Sequence, residues 1–320
     1  MVLRKTSVSV APCATRPHTA NIGKKLMGTG RWKGGMLVLT LMVFGFHETR
    51  AYGKEGCQDL FYKGQMPVLG GEFGHGTVLC NTAYAAMDSS LSKGPIWSAE
   101  YIVEENLEVA ARTKREGYFY PDARLPAGYR GELADWKHSG WDRGHLSPSG
   151  DFAGLTAQQE SYALSNVVPQ APGLNRGAWE GIEAAVRGLA NAEGELYVVT
   201  GVLFSHERAS VGPDRVMIPA GMWKAVYDPI AEGAAVYVCA NTNQPDCKIV
   251  SLEVLSRWAG IDVFPSLSVS IKQHIMPMPA IEESPYAASV RTEQSRANGF
   301  NWNDRRVKEV LRLLQKALGR

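Results

Sequence analysis

The sequence has no strong excess of either charge: 34 Lys and Arg stand against 32 Asp and Glu, a formal net of +2. Residues 1–51 carry 8 of those basic residues and 1 of the acids, which leaves 26 against 31 in residues 52–320, a net of −5. That balance excludes a protein that holds nucleic acid by broad cationic attraction, since such binding scales with the number of phosphates neutralised. Any contact with a polyanion must rest on a local groove. Cysteine is scarce, five in all, and no two are spaced C-x-x-C, which argues against a zinc or thioredoxin-like site. The nucleophile-elbow pattern G-x-S-x-G is missing, which argues against one large group of serine hydrolases. No internal repeat and no low-complexity tract occurs, so solenoids and propellers are set aside. The apolar run Met36–Phe46 is too short to cross a bilayer comfortably.

What is present is ordinary in bulk. Hydrophobic residues make up 45% and charged residues 21% of 320, enough for one large globular domain or two small ones. The N-terminus has the order of a targeting segment: Lys24, Lys25, Arg31 and Lys33, the run Met36–Phe46, then Thr49-Arg50-Ala51 as a small-x-small cleavage site. Residues 1–51 are therefore read as a leader, with Met27 or Met36 as alternative starts because the basic lead-in is long. The competing reading is an uncleaved membrane tether. Loss of the leader removes Cys13 and leaves Cys57, Cys80, Cys239 and Cys247. Four cysteines allow three connectivities, of which the sequence-local one pairs Cys57 with Cys80 and Cys239 with Cys247. An even count suits an oxidising compartment. The expected location is outside the cytoplasm, periplasmic or secreted, with no stable membrane insertion after cleavage.

Residues 52–79 are glycine-rich and without period, and read as an irregular arm. Ile96–Ile102 alternates and reads as a strand. Residues 112–138 carry Pro121, Asp122, Pro126, Gly128 and Gly131 and read as a long surface loop, a length often functional in compact domains. Thr156–Gln159 has the form of a capping box, so a short helix is expected there, ending near Asn166. A second helix should follow Asn175, since Trp179, Ile182, Val186 and Leu189 recur at steps of three and four. Glu195–Thr200 reads as a strand stopping at Gly201. Val216–Tyr227 contains Pro219 and Gly221, the mark of an edge or bulged strand. Ala234–Ala240 is a further strand, Ser251–Ala259 a helix ended by Gly260, and Asp304–Leu318 an amphipathic helix. The domain reading is leader 1–51, arm 52–79, catalytic-type domain 80–266 and C-terminal extension 267–320.

Chemistry concentrates in Ser139–Phe152, S-G-W-D-R-G-H-L-S-P-S-G-D-F. His145 titrates near neutrality and is the best base in the chain; the bland reading is a hydrogen-bonded structural histidine. Gly144 before it admits a tight turn. Arg143 offers a fork of donors that suits phosphate, and Arg115 offers another; singly, either arginine is ordinary surface charge. Asn175 is either a neutral oxygen ligand for a hard cation or a helix cap. Glu183 lies eight residues on. In one regular helix that is a rise of about 12 Å, too far for both to bind one ion directly, so either Glu183 acts through a water, or the helix starts after Asn175 and the chain folds back, or Glu183 is a solvated carboxylate. Asn166 either orients the base or ends a helix. A base, a phosphate binder and an oxygen ligand are the parts for cutting a phosphodiester.

Three segments in order, Trp141–Phe152 (W-D-R-G-H-L-S-P-S-G-D-F), Leu164–Gln170 (L-S-N-V-V-P-Q) and Leu174–Trp179 (L-N-R-G-A-W), closely resemble the DNA/RNA non-specific endonucleases. That family is endonuclease G-like and belongs to the ββα-metal, or His-Me finger, superfamily. The resemblance runs roughly from Cys80 to Pro265 and does not cover the leader, the Cys57 arm or the tail after Ser266. It implies an α+β fold with a central antiparallel sheet flanked by helices, two strands and a helix carrying the metal ligand. It also implies a role for each matched position. His145 matches the general base, Asn175 the direct magnesium ligand, and Glu183 the acid holding the metal's waters. Asn166 matches an active-site asparagine near the base, and Arg143 the phosphate-contacting arginine of D-R-G-H. Arg115, before Phe119–Asp122, matches an upstream arginine, with Arg112 as the fallback. The expected activity is magnesium-dependent hydrolysis of DNA and RNA, with manganese as a substitute, leaving a 5′ phosphate. A homodimer is compatible with the resemblance. Two competing classes stand beside it: a non-catalytic nucleic-acid-binding protein on the same scaffold, and an acyl hydrolase using Ser147, Ser149 and Asp151 beside His145.

Overall fold

The computed structural model describes residues 9–10, 56–70, 76–205, 207–282 and 284; the leader run Met36–Phe46 and the tail segment Asp304–Leu318 lie outside them. In chain order the strands and helices are β1 (Ser9–Val10), β2 (Val68–Leu69), β3 (Gly76–Cys80), β4 (Tyr84–Ser89), β5 (Gly94–Val103) and α1 (Glu104–Arg112). Then come β6 (Asp142–His145), α2 (Leu155–Ser161), β7 (Val167–Gln170), α3 (Glu180–Glu193) and β8 (Glu195–Leu203). The last group is β9 (Ser210–Val211), β10 (Val216–Met217), β11 (Gly221–Asp228), β12 (Gly233–Ala240), β13 (Cys247–Val250), α4 (Leu252–Ala259), β14 (Ile261–Asp262) and α5 (Val269–Gln273).

The period-two pattern of the long strands builds one central sheet, ordered β1-β3-β4-β5-β8-β11-β12-β13. All its neighbours pair antiparallel except β1 with β3. Alternation along each strand sends side chains to two apolar layers. On one face Phe61, Trp97, Trp223, Tyr227 and Phe264 pack with Leu252 and Leu255 of α4. On the other, Val198, Val202, Met222 and Val226 pack under Trp179, Ile182 and Val186, the apolar stripe expected after Asn175. Each such side chain, fully buried, contributes roughly 1.5–3 kcal/mol. The mixed α+β class with a central antiparallel sheet is as expected.

Several local expectations are corrected. The glycine-rich arm is not irregular throughout: it supplies short 3₁₀ turns at Cys57–Leu60 and Tyr62–Gly64, and β3. Leu60 and Phe61 are buried, with Phe61 edge-on to Trp97 at 5.9 Å. Val216–Tyr227 is two strands, and the longer, β11, lies between β8 and β12 rather than at an edge. Pro219 falls in the connection, where its missing N–H breaks no ladder. β8 does not stop at Gly201 but runs through it. A Cβ there would sit 2.2 Å from the Trp223 ring, so this glycine makes room for an indole. The helix at 155–161 starts after Gly154 with no side-chain cap, and ends at Ser161, with a separate 3₁₀ turn at Leu164–Asn166. By contrast α4 is capped as its sequence suggests, by Ser251 accepting from the Val254 N–H, and ends at left-handed Gly260.

Both sequence-local disulfides are formed, Cys57–Cys80 and Cys239–Cys247. The first closes a span of 23 residues. Its removal as Cys57→Ala/Cys80→Ala is expected to lower the unfolding free energy by about 3 kcal/mol, the loop-closure entropy for such a span. Urea denaturation of the variant and the parent measures it, and an unchanged midpoint would contradict the expectation.

Candidate active site

β6 and β7 form an antiparallel pair with Asp142 opposite Gln170 and His145 opposite Val167. A π-type turn, Leu174–Trp179, and α3 follow. Gly144 serves close approach rather than a turn: a Cβ would lie 1.9 Å from the Gln170 side-chain oxygen. The turn does not continue smoothly into α3, because Gly177 leaves helical geometry (φ −116°, ψ −106°). Asn175 and Glu183 are therefore not on one regular helix, and the straight-helix separation does not apply.

A cleft of about 420 Å³ opens beside the pair, lined by Phe119, Trp136, Trp141, Asp142, Arg143, His145, Asn175 and Arg176. It brings together three of the six residues singled out from the sequence. The His145 ring is held between aromatic neighbours, 5.0 Å edge-on from Tyr162 and 5.3 Å from Phe119. Its Nε2 is buried and makes no hydrogen bond. Burial, and then the charge of Arg115, lower its pKa to about 4, so the imidazole is neutral at pH 7. The Arg143 guanidinium lies over the Phe119 ring at 5.3 Å, a cation–π contact that leaves its Nε buried and unpaired.

Asn175 does not cap a helix through its side chain. Its Nδ2 donates to Asp142 Oδ2 at 3.0 Å, and Asp142 also takes two hydrogen bonds from Arg176, at 2.7 and 2.6 Å. That carboxylate fixes which way the amide faces. The Asn175 Oδ1 accepts no hydrogen bond among the described residues. An oriented, unshared amide oxygen in a polar cleft is a donor suited to a hard cation that keeps most of its waters. Among the described residues no group of three or more His, Cys, Asp or Glu is placed to hold a metal. The donor of this cleft with the chemistry a hard cation needs is therefore the Asn175 oxygen; Glu183 does not line the cleft.

The other three residues lie outside the cleft lining. Burial pushes the Glu183 carboxyl up to about 7, against the pull of Lys224 and Arg187. Arg115 lines a neighbouring depression of about 530 Å³ with Arg187 and Gly150. Asn166 is fully buried; it accepts from the Ser147 N–H at 3.1 Å and donates to the Ser147 and Ser161 carbonyls at 2.8 and 2.9 Å. It anchors the backbone two residues beyond His145. Sequence reasoning missed Asp142 and Arg187. Asp142 lies inside D-R-G-H, and Arg187 is one helical turn from Glu183 and pairs with Asp151 at 2.7 Å. The acyl-hydrolase alternative has no support: Ser147 is buried with its hydroxyl bonded to Ser98 at 2.8 Å, and Asp151 is engaged by Arg187.

The model of the DNA/RNA non-specific endonuclease family matches residues 69–270. The chain is 31% identical over 195 residues to a mitochondrial nuclease EXOG of Xenopus laevis, covering 54% of each chain. It is 27% identical over 209 residues to a mitochondrial nuclease of Saccharomyces cerevisiae, covering 57% of this chain and 64% of that one. With human mitochondrial endonuclease G the identity is 28%, over 55% of this chain and 65% of the other. The matches thus span between about half and two thirds of these relatives' length. A crystal structure of the EndoG/EndoGI complex superposes with a TM-score of 0.55 at 25% identity, covering 61% of this chain and 88% of that chain. No helix among the described residues is long and apolar enough to cross a membrane.

Proposed function

The chain belongs to the DNA/RNA non-specific endonuclease family, and on that premise we propose that it hydrolyses phosphodiester bonds of both DNA and RNA, leaving 5′ phosphates. The observation that carries this reading is the shared cleft of His145, Arg143 and Asn175. A neutral imidazole held between Phe119 and Tyr162 accepts the proton of the attacking water. Arg143 binds the scissile phosphate and offsets charge on its non-bridging oxygens, with Arg115 contributing from the adjoining depression. Asn166 holds the backbone behind the base. Family members are typically metal-dependent; Asn175 would hold the magnesium, which would supply positive charge to offset the charge that develops on the leaving oxygen. Manganese is the expected substitute.

Contacts to phosphate carry no base information, so little sequence preference is expected. Two disulfides support export to an oxidising compartment, periplasmic or secreted. The test is one assay of the purified chain on plasmid, single-stranded DNA and RNA, with and without magnesium. Cleavage of all three with magnesium, giving 5′-phosphorylated ends, is the expected result. Binding without cleavage would favour the non-catalytic scaffold instead.

A further inference from the structure

Among the buried charges the mechanism does not use is Lys224, the one lysine of that set. On the sheet face that carries the site, β11 presents Met222, Lys224 and Val226, and β8 presents Val198, Thr200 and Val202; all six are buried. Lys224 and Thr200 are cross-strand partners. The Lys224 side chain is 1% exposed, a position an alternating strand would fill with an apolar residue. A buried ammonium persists only when paired and hydrogen-bonded. Its Nζ donates to Thr200 Oγ1 at 2.6 Å and to the Leu146 carbonyl at 3.3 Å. It pairs with Glu100 Oε1 at 3.7 Å and lies 6.0 Å from the Trp179 ring centre.

Leu146 directly follows His145. The other backbone polar groups of Leu146 and Ser147 are all tied to Asn166. The Leu146 N–H donates to the Asn166 carbonyl at 2.9 Å. The Ser147 N–H and carbonyl are bonded to the Asn166 side chain. The Ser147 hydroxyl meets Ser98 of β5 at 2.8 Å. The dipeptide behind the imidazole is thus held at every polar backbone atom. Lys224 closes the one atom Asn166 leaves open, and it does so from the centre of the sheet.

From this we infer that Lys224 is a positioning residue for the general base: its ammonium tethers the Leu146 carbonyl to β11 and sets where the His145 ring stands in the cleft. It touches no reacting atom, and the inference rests on the nuclease reading above. The rival account is that Lys224 only neutralises Glu100. Lys224→Met, Glu100→Gln and the double variant separate the two. Each is purified as the full chain and assayed with magnesium for kcat, KM and Tm. Misplacing a catalytic group by about an ångström can lower rates roughly 100-fold, so Lys224→Met should lower kcat by roughly 10- to 100-fold. KM should stay within about twofold of wild type, the pattern of a transition-state defect.

Glu100→Gln in the Lys224→Met background should restore Tm but not kcat. Wild-type kcat in Lys224→Met, or recovery of kcat in step with Tm in the double variant, overturns the inference. If Lys224→Met does not fold, Thr200→Val loosens the ammonium while keeping it. A loss in kcat alone, roughly fivefold, supports the tether, and wild-type kcat refutes it. An inactive wild-type chain would overturn the nuclease reading and this inference with it.

Discussion

His145→Ala is expected to lower the cleavage rate of plasmid and RNA by roughly 10²- to 10⁴-fold, the range for losing a positioned general base. His145 is the one imidazole lining the cleft, it makes no hydrogen bond through Nε2, and its neighbours are aromatic rings rather than alternative bases. Circular dichroism should report a folded variant. The pH profile gives a second reading of the same residue. Burial and Arg115 depress the imidazole pKa to about 4, so the base stays unprotonated as pH falls from 7 to 5. The acid limb of kcat/KM should then lie near 4 rather than near the 6.5 of free imidazole. The same depression makes the folded state lose stability between 6.5 and about 4, because the unfolded chain takes up the proton first. Wild-type rates in His145→Ala would remove the base assignment.

How much of this was legible beforehand depended on whether the information was local. The stripe Trp179, Ile182, Val186 and the Ser251–Gly260 boundaries of α4 were readable because spacing and caps act within a few residues. Of the three cysteine pairings the sequence allowed, the sequence-local one is formed. β11 was misread because Pro219 signals an edge, whereas the proline lies just outside a strand that the rest of the chain then encloses. Thr156 looked like a cap, yet Gly154 begins the helix. Lys224 and Glu100 were invisible, since a charged residue in an alternating strand reads as the solvent face until the far side of the sheet is known to be covered by α3. Asn175 illustrates a different limit. Its sequence context could not choose between cap and ligand. What rules out the cap is a contact with Asp142, 33 residues away.

Chelation with EDTA is expected to stop cleavage, and magnesium to restore it, with Asn175→Ala losing most of that response. The physical reason is the economy of the donor set: one amide oxygen faces the cleft unshared, while the Asp142 carboxylate beside it is engaged by Asn175 and Arg176. Asp142→Ala tests the orientation separately. Freed from Asp142, the amide can rotate and present nitrogen where oxygen is needed, so magnesium affinity should fall by roughly 10- to 100-fold, the usual effect of removing a partner that orients a ligand. Isothermal titration of magnesium into parent, Asn175→Ala and Asp142→Ala reads affinity independently of turnover. The order expected is parent tightest, Asp142→Ala weaker and Asn175→Ala weakest. Because Arg176 would lose its ion pair in Asp142→Ala, Arg176→Ala serves as the control and should bind magnesium like the parent. Equal affinity in all four proteins, or undiminished cleavage in chelator, would take the metal away from Asn175 and leave its oriented amide a purely structural link between the turn and β6.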